Sequence, residues 1–153
     1  MKIRPGIKLI DEIEGYGKPI AKGDGFEAVY KFYRNKGDPL LFDVVNHKPI
    51  PRIHEENGIK KIGWMPMTAE RTNVVYQYSG WLERQSEINV GIYYSLLGMK
   101  TMGYRKVRIA PHFFARSMAG YDGIKSDSVV WVEIFLMEIK NLPSKAVQTG
   151  PVT

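Results

Sequence analysis

The sequence of 153 residues contains no cysteine. Disulfide bonds, thiolate catalysis and cysteine-ligated metal centres are therefore excluded. Histidine is also scarce, since His47, His54 and His112 are the only three in the chain. No two of them lie at the close spacing that brings two imidazoles to one metal ion on a helix or a strand, so we expect no metal site.

Long hydrophobic runs are absent as well. The opening residues, MKIRPGIKLIDEIEGYG, contain no apolar stretch long enough for a signal peptide. No other window approaches the roughly 20 apolar residues of a membrane-spanning helix. We therefore predict a cytoplasmic location and no membrane partner.

Acidic residues are outnumbered by basic ones, 16 to 22, which gives a net charge of +6 and a pI of about 9.4. This excess fits an anionic partner, or it serves only solubility. The basic residues are scattered, with no run of five or more, so the sequence does not favour nucleic-acid binding. The denser groups are Lys2, Arg4 and Lys8, then Lys60 and Lys61, then Arg105, Lys106 and Arg108.

Aromatic residues make up 12% of the chain, beside 15 glycines and 9 prolines, a combination typical of strands and turns. Alternation of apolar and polar residues predicts strands at 7–13 and 26–33, the second with Phe26, Ala28, Tyr30 and Phe32 on one face. Pro49, Pro51 and Pro66 argue against any long element at 46–71. Further extended segments are predicted at residues 40–45, 73–81, 104–111 and 128–139.

One short helix is predicted after Asn89, which can cap it. Ile92, Tyr93, Leu96 and Leu97 form its apolar stripe, and Gly98 provides the C-terminal stop. Strands without strand–helix alternation predict an α+β fold, a curved antiparallel sheet of about five or six strands wrapped over one helix. The length suits a single domain, residues 1–142, followed by a flexible tail at 143–153.

Three segments, taken in order, resemble the FKBP-type peptidyl-prolyl cis-trans isomerases. GYGKPIAKGDGFEAVYKFYRNKGDPLLFD is similar to the family's opening, with its Gly-x-Gly loop, aromatic strand and Phe-Asp pair. LLGMKTMGYRKVRIAPHFF is similar to its helix exit, basic strand and Pro-His corner, and SVVWVEIFLMEI to its last strand. Together they cover about half of the chain, and the stretch from Asp43 to Ile88 is more than twice the family's usual length, which places an insertion at roughly 46–86.

The resemblance implies an FKBP-like fold with a prolyl-binding pocket between the helix and the sheet. The barrier to rotation about a prolyl bond is about 20 kcal/mol, because rotation breaks amide resonance. An apolar pocket lowers it by removing the water that stabilises the planar amide and by holding a twisted ring. Such chemistry requires no cofactor, and the partners it implies are proline-containing peptides or unfolded protein segments.

The family's pocket positions carry over to this sequence residue by residue. Phe42 matches a pocket wall, and Asp43 the polar group near the twisting carbonyl. Phe32 falls where the family has a tyrosine, and Val132 where its last strand presents a phenylalanine. The remaining predicted pocket residues are Ile88, Ile92, Phe113, Phe114 and Trp64.

Two departures leave alternatives open. When the helix is aligned with the family's helix without a gap, Ile92 falls where the family has the tryptophan of its pocket floor. Gly63-Trp64 or Gly80-Trp81 could supply that ring instead. The rim tyrosine falls on Ala115, for which Phe113 or Phe114 could substitute. Phe32 and Phe42 also suit a plain core. The leading prediction is a prolyl isomerase of weak activity, and the alternative is a non-catalytic module of the same fold for protein binding or chaperone-like assembly.

Overall fold

The computed structural model of the chain describes residues 2–45, 48–66, 71–83, 90–113 and 128–140. One α-helix, α1 (Val90–Leu96), is set among ten strands, and a 3-10 turn follows at Pro111–Phe113. The strands are β1 (Lys2–Arg4), β2 (Ile7–Ile13), β3 (Gly25–Arg34), β4 (Phe42–Val45), β5 (Ile50–Glu56), β6 (Ile59–Met65), β7 (Arg71–Thr72), β8 (Val74–Trp81), β9 (Gly103–Ile109) and β10 (Val130–Lys140).

Six strands form one antiparallel sheet in the order β1-β2-β9-β10-β3-β8. The dense apolar strand β10 lies inside the sheet between β9 and β3, as its β-branched and aromatic composition predicts. Two further pairs stand apart, β4 with β7 and β5 with β6. The predicted α+β fold with one short helix and a sheet of five or six strands is confirmed.

The helix packs on the sheet face that the alternation in β3 identifies. Its buried residues join those of β2, β3, β9 and β10 in one apolar cluster. Period-2 strands send every second side chain to the same face, so the predicted set from β3 lies entirely in this cluster. The cluster includes Phe26, Ala28, Tyr30, Phe32, Val107, Ile109, Val132, Ile134 and Leu136.

Gly98 ends the helix, as predicted, with φ at 85° in the left-handed region. Its amide donates to the carbonyl of Ile20 at 3.1 Å. Arg105 occupies the helix C-terminus, where its Nη1 donates to the carbonyls of Ser95 and Leu97, each at 2.9 Å. The cation thereby satisfies helix-end carbonyls that have no partner within the helix. The predicted cap Asn89 and the predicted tail lie outside the described residues.

The opposite face of the sheet, which we call the back face, is partly covered by the β5–β6 hairpin. Ile50, Ile53 and Ile62 of the hairpin pack in a second apolar cluster with Val29 and Phe135, among others. Sequence analysis predicted no element here. The turn Asn57-Gly58, with φ of 55° and 80°, is the two-residue hairpin signal that would have identified it.

Pro51 is tolerated in this hairpin because β5 pairs with β6 on one side only. The hairpin is fixed to the sheet by polar contacts at two points. Lys60 forms an ion pair with Asp11 of β2, and the Tyr76 hydroxyl of β8 donates to the carbonyl of Pro49. The insertion predicted before the helix therefore includes a structure that covers the back face.

No helix within the described ranges combines the length and apolar character needed to cross a membrane.

Candidate functional site

Three of the predicted pocket residues lie together between α1 and the sheet. Phe32 of β3, Ile92 of α1 and Val132 of β10 are 6%, 3% and 0% exposed and belong to one apolar cluster. Each is placed by the periodicity of its own element, because its side chain falls on the apolar face of that strand or helix. The side of the site toward the sheet is thus aromatic and aliphatic.

Tyr30 adds a polar group to this face. Its ring lies 6.1 Å from that of Phe32 between centroids, and its hydroxyl donates to Oε1 of Gln77 at 2.7 Å. Burial raises the pKa of the Tyr30 phenol far above its usual value, so the group stays protonated and keeps donating. Sequence analysis placed Tyr30 on the correct face but did not name it as a site residue.

Phe113 lies at the rim of the same cluster, partly buried against it. Its ring meets the ring of Tyr94 edge-on, with 5.9 Å between centroids. The guanidinium of Arg4 lies 3.9 Å from the Tyr94 ring centroid, close enough for a cation–π contact. The Pro111 corner and α1 therefore each contribute one ring to an aromatic pair at the edge of the helix-facing cluster, and Arg4 of β1 lies against the Tyr94 ring.

The segment that carries Phe42 and Asp43 follows directly from the site. Leu40, buried in the cluster, donates its amide to the carbonyl of Phe32 at 3.0 Å. Two residues on, β4 begins, with the backbone of Phe42 opposite Thr72 of β7. The structure describes the backbone of Phe42 and Asp43 and not their side chains, so their predicted roles stay predictions.

Asn73, which lies between β7 and β8, is hydrogen-bonded to both backbone groups of Phe32 in β3. Its carbonyl accepts the Phe32 amide at 3.1 Å, and its Nδ2 donates to the Phe32 carbonyl at 3.0 Å. The strand pairing between β8 and β3 ends with Val74 opposite Lys31. Beyond that point the side-chain amide of Asn73, and not a backbone amide of β8, donates to the Phe32 carbonyl. With Leu40, it fills both acceptor positions of one carbonyl oxygen.

Asn73→Ala should lower the free energy of unfolding by about 1–2 kcal/mol, the range for a partly buried hydrogen bond whose acceptor loses a partner. Urea denaturation followed by circular dichroism measures this. Asn35→Ala is the control, because Asn35 lies in an exposed turn and the hydrogen bond that its Oδ1 accepts from the Trp131 indole N–H at 3.3 Å is also exposed to water. It should change stability by no more than about 0.5 kcal/mol. Equal effects from both substitutions would remove Asn73 from this role.

The structure does not bring Trp64 to the other predicted residues. Trp64 lies on β6, is 51% exposed, and lines a cavity of about 420 Å³ with Val29, Tyr76 and Met137. Since Val29 belongs to the back-face cluster, the sheet separates Trp64 from α1. We do not include Trp64 in the proposed site. Ile88 and Phe114 lie outside the described residues.

Within the described ranges, no group of three or more His, Asp or Glu side chains is arranged to hold a metal ion. The helix-facing site consists instead of rings, aliphatic side chains and one fixed phenol. A lining of rings and aliphatic side chains is of the kind that holds an apolar ligand ring, and Phe32, Ile92 and Val132 are themselves almost fully buried in this structure.

No family model matches the sequence, and no curated protein matches it either. Solved structures do match in fold. The fold is FKBP-like. FkpA from Escherichia coli superposes with a TM-score of 0.52 at 16% identity, over 90% of this chain and 48% of that one. The three FKBP domains of wheat FKBP73 give a TM-score of 0.51 at 10% identity, over 88% of this chain and 45% of that one.

A peptidyl-prolyl cis-trans isomerase from Pseudomonas syringae gives a TM-score of 0.52 at 16% identity, over 90% of this chain and 83% of that one. This chain thus spans less than half of the FkpA and FKBP73 chains but most of the Pseudomonas chain. The superpositions support the FKBP-like fold. Because the sequence identities are low, they do not show the activity, which is argued below from the site.

Proposed function

We propose that this chain is an FKBP-type peptidyl-prolyl cis-trans isomerase of low turnover, acting on Xaa-Pro bonds in unfolded or extended protein segments. The observation that carries the proposal is the gathering of Phe32, Ile92 and Val132 on the helix-facing side of an FKBP-like fold. Two neighbouring features support the proposal: Phe113 packs partly buried against this cluster, and Leu40, bonded to the Phe32 carbonyl, leads from it into β4.

The proposed mechanism is desolvation with positioning. A prolyl ring held against Phe42 and Ile92 leaves water, and its amide loses the hydrogen bonds that favour the planar form. Asp43 is proposed as the oriented polar group beside the twisting carbonyl. No bond to the enzyme forms, so the acceleration depends on stronger contacts to the twisted amide than to the planar one.

Two features of the site fit low turnover. Ile92 stands in the contiguous register of the family's floor tryptophan, and an aliphatic side chain offers a smaller flat surface to the prolyl ring. Phe32 lacks the hydroxyl of the family's pocket tyrosine, although Tyr30 supplies a phenol on the same face. The cytoplasmic location and the boundaries of the domain and tail remain predictions of the sequence.

A protease-free isomerisation assay on a short Xaa-Pro peptide tests the proposal. Phe42→Leu and Asp43→Asn should each lower kcat/KM about tenfold or more, equivalent to about 1.4 kcal/mol of transition-state stabilisation. The controls are Ile59→Ala, an exposed apolar residue of the hairpin, and Asp38→Asn, whose carboxylate pairs with Arg34 on the surface. Both controls should retain full turnover.

Turnover that survives both Phe42→Leu and Asp43→Asn would contradict the assigned site. No turnover by the parent chain, together with binding to a reduced and unfolded model protein, would contradict the enzymatic proposal and support a non-catalytic binding module of the same fold.

A further inference from the structure

Several of the basic residues that are scattered along the sequence fall into two groups in the fold. One group is neutralised by close partners. Arg105 pairs with Glu12 at 2.9 Å, and Lys100 pairs with Glu14 at 2.8 Å. Lys60, Lys61 and Lys140 are likewise paired, with Asp11, Glu56 and Glu27.

The second group gathers on the back face of the sheet. Strand register places Lys8 beside Arg108, Arg108 beside Trp131, and Trp131 beside Tyr33. Neighbouring strands lie about 4.8 Å apart, so this row across four strands spans about 14 Å. Lys8 and Arg108 are exposed, and the two aromatic residues are partly exposed.

Lys106 lies in the next row on the same face, opposite Glu133. Its ammonium group is 5.5 Å from the Trp131 ring centroid. A cavity of about 490 Å³ opens beside Trp131 and is walled by Tyr33, Asn35, Lys36, Gly37, Lys106 and Glu133. This volume lies within the roughly 300–1,000 Å³ of small-ligand pockets. We call the row and this cavity together the back-face platform.

Glu133 is the one acidic side chain in that cavity wall, and its oxygens are already engaged. The hydroxyl of Tyr33 donates to Oε1 at 2.6 Å, and the hydroxyl of Tyr104 donates to Oε2 at 2.6 Å. The buried ammonium of Lys31 interacts with the same carboxylate. Glu133 is therefore compensated from within the protein and opposes an incoming anion only weakly.

The exposed cations of the platform have no such compensation. Among the described residues, no acidic side chain lies within ion-pair distance of Lys8, Lys36 or Arg108. Arg108 thus lies next to Trp131 in the row and Lys8 lies one strand further along, while Lys36 and Lys106 border the adjoining cavity. Unpaired cations on a surface attract anions, and the flat ring provides a stacking surface.

We propose that the back-face platform binds single-stranded nucleic acid. Phosphates lie against Lys8, Arg108 and Lys36, and one base enters the cavity to stack near Trp131. A positively charged surface with aromatic side chains is the physical basis of sequence-tolerant single-strand binding. An acidic polypeptide would satisfy the cations and leave the ring and the cavity unused, so it fits the platform less well. The proposal is independent of the isomerase site, which lies on the other face of the sheet.

Fluorescence anisotropy of a labelled single-stranded oligothymidylate, titrated with the full chain at several salt concentrations, tests the proposal. Lys8→Glu/Arg108→Glu should weaken binding at least about tenfold at low salt, and it should reduce the slope of log K against log salt by about 1.4, since each phosphate contact contributes about 0.7. Lys18→Glu/Lys22→Glu is the control, because both lysines are exposed in the β2–β3 loop and the net charge changes equally. That control should retain most of the affinity.

Trp131→Leu separates stacking from charge. It should weaken oligothymidylate binding about tenfold with an unchanged salt slope, because one base loses its aromatic partner. Thermal unfolding monitored by circular dichroism confirms that each variant is folded. The proposal is overturned by any of three results: no binding at low salt, equal losses in the two double variants, or a poly-glutamate peptide that binds as tightly as the oligonucleotide and is unaffected by Trp131→Leu.

Discussion

Glu133→Ala should lower the free energy of unfolding by about 3 kcal/mol, because two hydrogen bonds to a charged, partly buried carboxylate are lost. The substitution removes the acceptor of two phenols, of which Tyr104 is only 2% exposed. It also removes an anion whose charge stabilises the ammonium of Lys31, a residue buried on the same face. The two phenols then lose the acceptor of their donated hydrogen bonds, and the Lys31 ammonium keeps its contact with the Phe135 ring, 5.7 Å from the ring centroid, but loses a compensating charge.

Glu138→Ala is the matched control on the same strand, because Glu138 is exposed, and it should change stability by no more than about 0.5 kcal/mol. Glu133→Gln should fall between the two, since an amide oxygen can still accept from one phenol but carries no charge. Equilibrium urea denaturation provides all three values. If Glu133→Ala is as mild as the control, water in the adjoining cavity satisfies the phenols and the cluster contributes little.

Stability should fall steeply as the pH rises above about 10, the usual pKa of tyrosine. Burial is the main cause that raises the folded-state pKa of Tyr30, Tyr33 and Tyr104 above that value, and the Glu133 carboxylate raises it further for the latter two. Below about pH 10 both the folded and unfolded chains hold these protons. Above it, the unfolded chain releases protons that the folded chain retains, so unfolding is favoured.

Each such phenol contributes a loss of about 1.4 kcal/mol per pH unit, so the three together contribute up to about 4 kcal/mol per unit. Urea denaturation at about pH 9, about pH 10.5 and about pH 11 measures the slope. Tyr104→Phe should flatten it by about 1.4 kcal/mol per unit. Tyr16→Phe, at a site 64% exposed, should leave it unchanged. A slope insensitive to Tyr104→Phe would contradict this account of alkaline unfolding.

Several elements followed from the sequence because their signals are local. Alternation in β3 assigned Phe32 and Tyr30 to the helix-facing side, where the structure has them. Gly98 ended the helix because few other residues adopt its left-handed conformation. The β5–β6 hairpin is not predicted because Pro49, Pro51 and Pro66 argue against a long element there, although a two-stranded hairpin leaves edge positions where proline loses no ladder hydrogen bond.

The positions of Asn73 and Trp64 depend on contacts between distant segments, which local sequence patterns do not predict. Nothing in the residues around Asn73 indicates that its side chain completes the bonding of Phe32, 41 positions earlier. The Gly63-Trp64 pair is one candidate in the sequence for the ring of the pocket floor, whereas a hairpin that folds onto the back face carries Trp64 to the other side of the sheet. Sequence distance does not define which face of a sheet an inserted segment covers.

The sequence by itself determined the α+β class, the apolar face of β3 and the helix stop, since these depend on residue periodicity and turn chemistry. The FKBP-like fold was implied by the resemblance of three segments to that family. Only the tertiary structure decided which cations remain unpaired, because charge compensation depends on strand register between distant segments. Arg105 and Lys106 are adjacent in sequence, yet one binds the helix end and the other borders the back-face platform. Adjacent residues of a strand point to opposite faces, and the partners on each face come from elsewhere in the chain.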